Sequence, residues 1–141
     1  MSIKAKRVYI ISTVLLIFAI FSTHIFAVDQ TPGDYYVHTY TEDGHTVTEG
    51  DRTLDMRSRD IVGSFTEYVG VDSDRSDYGP WNYGTDIFLV FSQYINPKYV
   101  HGSSVLGATL VRGDLKPGGQ PAYASTNKSP SNNHAYWKVE K

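Results

Sequence analysis

Beyond Ala27, no stretch of about ten residues carries the spacing of an amphipathic helix. Apolar residues fall instead into short runs rich in aromatic and β-branched side chains, separated by Gly, Pro, Asn and Asp. Short runs at close spacing with turn signals between them predict a small antiparallel β-sandwich or barrel. The first run, Tyr35 to Thr41 ("YYVHTYT"), is followed by Asp43-Gly44 and then His45-Thr46-Val47-Thr48. An Asp-Gly pair between two such runs is a strong hairpin signal. The charged stretch from Thr53 to Ile61 fits either a strand or one helical turn. Ile61 to Val71 reads as a strand, with Phe65 and Tyr68 candidates for burial. Ile87 to Tyr94 is nearly all apolar and predicts a central buried strand with Phe91 in the core. Asn96-Pro97 ends it. Tyr99 to Arg112 supplies one long bent strand or two, with Gly102 and Gly107 as bend points. Leu115 to Pro121 reads as a turn, Ala122 to Thr126 as a short strand, 127–133 as a polar loop and His134 to Glu140 as a closing strand.

The N-terminus has a different character. Lys4, Lys6 and Arg7 precede Val8 to Ala27, which holds no Asp, Glu, Lys or Arg. Basic, apolar and then small residues in that order are the pattern of a secretory signal peptide, predicting cleavage after Ala27 and a secreted, extracellular product. The competing reading is an uncleaved anchor, since Val8 to Ala27 is just long enough to span a bilayer. The chain has no cysteine. An exported domain without disulfides must rest on packing and sheet hydrogen bonds.

Charge divides the remainder. Residues 28–80 hold twelve Asp and Glu against four Arg, whereas residues 81–141 hold six Lys and Arg against three Asp and Glu. The sign changes across Ser73 to Pro80, a loop dense in Asp, Ser, Gly and Pro. This suggests a signal peptide at 1–27, an acidic, β-rich segment at 28–80 that shields a cationic effector, and a β-sandwich domain at 81–141. A single domain with a solvated acidic face accounts for the same pattern.

The second half carries an ordered set of short motifs. These are Trp81-x-Tyr83-Gly84, Phe91-Ser92-x-Tyr94, Tyr99-x-His101-Gly102-Ser103-Ser104-Val105, Gly118-Gly119, Ala122-x-Ala124-Ser125 and Asn133-x-Ala135-Tyr136-Trp137. In this order, behind a signal peptide and without cysteine, they resemble the lactococcin 972 family of bacteriocins. The resemblance implies a secreted, unmodified antibacterial polypeptide with a β-sandwich fold and no cofactor. It also implies action at the envelope of related Gram-positive cells, with the wall precursor lipid II as target, and dedicated export and immunity membrane proteins as companions. Residues 28–80 have no counterpart in family members with a short mature chain.

On this reading the candidate binding residues are Trp81, Tyr83, Tyr94, Tyr99, His101, Ser103, Ser104 and Tyr136. Amphipathic rings stack on sugars or sit among headgroups, yet the same rings build the core of a small sandwich. His101-Gly102-Ser103-Ser104 offers donors to a sugar or pyrophosphate, or forms a bend at a strand edge. Lys98, Arg112, Lys116, Lys128 and Lys138 suit anionic wall polymer or lipid phosphate, or are scattered surface cations. Two sharper chemistries find little support. Asp72 to Asp77 alternates carboxylates as calcium loops do but lacks the central Gly and terminal Glu. His101, Ser103 and Asp114 lack the nucleophile elbow of a hydrolase. The histidines have no paired metal spacing, and nothing points to nucleic acid. The expectation is a non-enzymatic bacteriocin binding an envelope component, with a non-toxic secreted binding or adhesion module as the alternative.

Overall fold

The computed structural model describes residues 33–54 and 63–141. The expected signal peptide and the charged stretch at 55–62 lie outside them. Among the described residues the chain is all strand: β1 (Tyr35–Glu42), β2 (His45–Thr53), β3 (Gly63–Val69), β4 (Gly79–Thr85), β5 (Leu89–Tyr94), β6 (Val100–Leu106), β7 (Leu110–Arg112), β8 (Ala122–Asn127) and β9 (His134–Glu140). Every pairing is antiparallel. Two sheets form, in the orders β1-β2-β9-β6-β7 and β3-β4-β5-β8. The all-β sandwich expected from the run pattern is therefore the fold.

The Asp43-Gly44 turn closes the β1–β2 hairpin with Glu42 opposite His45. Both turn residues have positive φ, 48° and 81°, as a two-residue hairpin requires. Tyr99 to Arg112 resolves into two strands that break at Gly107, while Gly102 sits within unbroken β6. The acidic 73–80 stretch, expected to mark a boundary between modules, leads from β3 into β4, which are hydrogen-bonded neighbours. Strands β1 and β2 extend one sheet and β3 extends the other, so these three strands belong to the same two layers as β4 to β9.

The core lies between the sheets. Trp81, Tyr83, Val90 and Tyr94 enter from one side, Val105, Ala135, Trp137 and Val139 from the other. Trp81 donates its indole N–H to Ser92 Oγ at 2.9 Å, and that hydroxyl donates to the Tyr136 carbonyl at 2.9 Å, tying the layers together. Gly50 of β2 has no side chain because Trp137 of β9 occupies the space: a Cβ there would lie 2.0 Å from the indole nitrogen. Arg52 of β2 reaches across to Glu67 of β3 at 2.5 Å, and Tyr83 donates its hydroxyl to the same carboxylate oxygen.

One expectation fails in detail. β5 is central in its sheet but begins at Leu89, and only Val90, Ser92 and Tyr94 face inward. Phe91 is half-buried on the outer face, opposite Gly84 and Ser125. A sheet in a two-layer sandwich has one covered face, so even an apolar run must alternate. Tyr68 is likewise on the outer face and exposed, whereas Phe65 packs against the core.

Candidate ligand groove

The outer face of the five-stranded sheet carries charged, aromatic and hydroxyl side chains in adjoining hollows. Register fixes its rows. Asp51, Tyr136, Ser104 and Arg112 stand side by side across β2, β9, β6 and β7, and the next row holds Glu49, Lys138 and Gly102. Two adjoining hollows of about 180 and 200 Å³ lie along these rows, sharing Glu49, Ser104 and Arg112. Gly102 keeps the floor low between Lys138 and Leu115. Tyr136 stacks on His134 with ring centroids 5.9 Å apart, and His134 in turn contacts Asp51 at 2.8 Å. Burial, with Asp51 and Glu49 nearby, pushes the Tyr136 phenol up to about 12, so it remains a neutral hydroxyl. Lys138 pairs with Glu140 at 2.9 Å and Glu49 with His38 at 3.3 Å. Arg112 is exposed and makes no ion pair among the described residues. The groove thus joins a free guanidinium, an aromatic hydroxyl and a serine on a stiff sheet. Such a set suits an oxyanion attached to a sugar-like body.

Of the eight residues singled out in the sequence, Ser104 and Tyr136 meet in this groove, and the buried Ser103 also borders one of its hollows. Trp81, Tyr83 and Tyr94 are fully buried. No ligand can stack on them without opening the sandwich. His101 and Ser103 also point inward. Both His101 ring nitrogens are engaged by main-chain carbonyls, Tyr99 at 2.8 Å and Gln120 at 2.6 Å, so the imidazole is a structural strut. The division of His101-Gly102-Ser103-Ser104 follows from strand alternation: 101 and 103 face the core, 102 and 104 the groove. Period two applied to that tetrapeptide would have found it. Glu49 and Leu110, which also line the groove, had no local signal. They arrive through long-range pairing.

Tyr99 sits elsewhere, in a cluster around Asp72. Lys98 and Lys141 each donate to the Asp72 carboxylate at 2.7 Å, and the Tyr99 hydroxyl donates to it at 3.0 Å. The carboxylates of the 72–77 loop are all engaged: Asp74 accepts from the Ser76 N–H, Asp77 from the N–H groups of Val71 and Asp72. Lys141 and then Lys98 hold the Asp72 carboxyl well below the usual range, and Asp72 holds both ammonium groups above theirs. A depressed carboxyl contributes stability above its unfolded value and loses it as pH falls. Raised lysines contribute below their unfolded value and lose it as pH rises. Melting temperature should therefore fall toward acid below about pH 4 and toward alkali above about pH 10. In Asp72→Asn both declines should be shallower. Identical profiles for the two proteins would assign the pH dependence to other groups.

No curated protein matches the chain, and no solved structure does. Residues 77–137, which run from the buried Asp77 to the core indole of Trp137 and supply Ser104, Arg112 and Tyr136, match the family described as Bacteriocin (Lactococcin_972), so that over this span the chain is similar to the lactococcin 972 bacteriocins.

Proposed function

We propose that this protein is a secreted antibacterial polypeptide that acts on the envelope of related Gram-positive bacteria by holding a wall component, without catalysing a reaction. The observation that carries this reading is the bacteriocin family match over residues 77–137. The groove supports it, because Arg112, Ser104 and Tyr136 offer charge, hydroxyl and ring to one ligand. The ligand class that fits is a phosphorylated glycan precursor. The resemblance names lipid II, and it names dedicated export and immunity membrane proteins as companions.

The test is killing. Protein recovered from culture medium should inhibit growth of related Gram-positive strains. Arg112→Ala should raise the inhibitory concentration by about tenfold or more, the size expected for losing one charge-assisted hydrogen bond. Its melt should be unchanged, because Arg112 is exposed on the edge strand β7. A folded protein that inhibits no related strain would replace this reading with a non-toxic envelope-binding module. Full potency in Arg112→Ala would remove the groove from the mechanism.

A further inference from the structure

At the end of the sandwich where β4 turns into β5, Ile87 and Phe88 are 68% and 75% exposed. The turn that carries them is tightly held. Asp86 Oδ1 accepts the N–H groups of Phe88 at 2.7 Å and Leu89 at 2.5 Å, and the Asp86 N–H donates to the Leu89 carbonyl at 2.9 Å. Asp86 thus fixes a tight Asx-type turn whose two tip side chains are directed away from the body. Neighbouring segments are stitched to the same point. The Lys128 N–H donates to the Phe88 carbonyl at 2.7 Å and the Ala108 N–H to the Asn127 carbonyl at 2.8 Å. Thr109 and Thr126 join their hydroxyls at 2.9 Å. The β4–β5 turn, the β6–β7 turn and the end of β8 therefore form one platform, from which Ile87 and Phe88 project. Leu110, 47% exposed, follows the β6–β7 turn.

Two projecting side chains are too little area for a stable protein partner, which needs about 1,000 Å² of buried surface. A lipid leaflet has no such requirement, since it dissolves apolar side chains one at a time. We propose that the Ile87-Phe88 tip enters the outer leaflet of the target membrane, with phospholipid as its partner. Insertion is independent of what the groove holds. It has a consequence for that reading, however. Leu110 borders both the tip platform and the groove, so a protein seated by this end would bring Arg112 and Tyr136 close to the polar head of a membrane-anchored ligand.

The experiment uses vesicles of phosphatidylcholine with phosphatidylglycerol and no wall precursor, mixed with protein recovered from culture medium. The protein should cosediment with the vesicles. The double substitution Ile87→Asn with Phe88→Ser should weaken partitioning at least about tenfold while leaving the melt intact. Phe88→Trp should gain fluorescence that brominated acyl chains quench. Absence of vesicle binding by the unaltered protein, or equal binding by the double variant, would overturn the proposal. A protein that binds vesicles through the tip yet kills no cells would sink the bacteriocin reading and leave the tip standing.

Discussion

A chain that starts at Gly79 is expected to lose about 5 kcal/mol or more of stability relative to one that starts at Gly33, a loss comparable to the whole stability of many small domains. Strands β4 to β9 alone would keep three strands in each sheet, β9-β6-β7 and β4-β5-β8. The topology would be complete, but the interior would not. Leu54 and Val69 are 2% and 6% exposed and would leave with the N-terminal segment, and Phe65 would go with them. At about 1.5–3 kcal/mol for each fully buried side chain, the loss follows. Trp137 would lose Gly50, against which its indole lies, and the hydrogen bond to Tyr35 at 3.2 Å. Tyr94 would lose the Val69 carbonyl that accepts its hydroxyl at 3.0 Å. β9 and β4 would both become open sheet edges, a liability in any soluble domain. Urea melts of the two chains, with sedimentation to detect association, make the comparison. Coincident midpoints would mean that the acidic segment is a detachable cover, and that charge alone divides the chain.

Much of the layered fold was legible because it depends on local signals. Asp43-Gly44 demanded a hairpin and made one. The closing strand at His134–Glu140 alternates as a strand facing one core must. Less was legible where burial depends on which face a strand presents. Ile87 to Tyr94 is apolar almost throughout, yet Asp86 captures two main-chain N–H groups and leaves Ile87 and Phe88 at a turn rather than in a strand. The rings proposed for binding were chosen by type, and type does not distinguish a core Trp81 from a surface Tyr136. Parity within a strand does. The groove itself was illegible, because Glu49 meets Ser104 and Arg112 only through the β2–β9–β6–β7 pairings. Charge asymmetry suggested separate modules, but charge reports solvent exposure, and here Glu42, Glu49, Asp51 and Glu67 ride on β1, β2 and β3 of a shared sandwich. Asp72 even uses Lys98 and Lys141 of the basic half as partners.

Asn96→Ala should cost about 3–5 kcal/mol, although it removes only one small polar side chain. Asn96 and Asp77 are both fully buried. The Asn96 amide donates to Asp77 Oδ2 at 3.1 Å and to the Tyr94 hydroxyl at 3.0 Å, and its carbonyl accepts the N–H groups of Lys98 at 2.9 Å and Tyr99 at 2.8 Å. Its whole hydrogen-bonding capacity is used. Alanine would strand two main-chain donors and leave Asp77 short of one donor, at about 1–3 kcal/mol for each buried group left unpaired. Water entering the vacated space offsets some of that sum. Asn96→Asp keeps the acceptor but sets a second carboxylate against Asp77, so it should be no better tolerated near neutral pH. Asp77→Ala breaks the same network from the other side, freeing the Val71 and Asp72 N–H groups. The double variant should therefore lose clearly less than the two single losses added together. Denaturant melts of the three proteins decide the matter. An Asn96→Ala variant within about 0.5 kcal/mol of the parent, or losses that simply add, would show that this buried network is not what joins the 71–78 loop to the turn before β6.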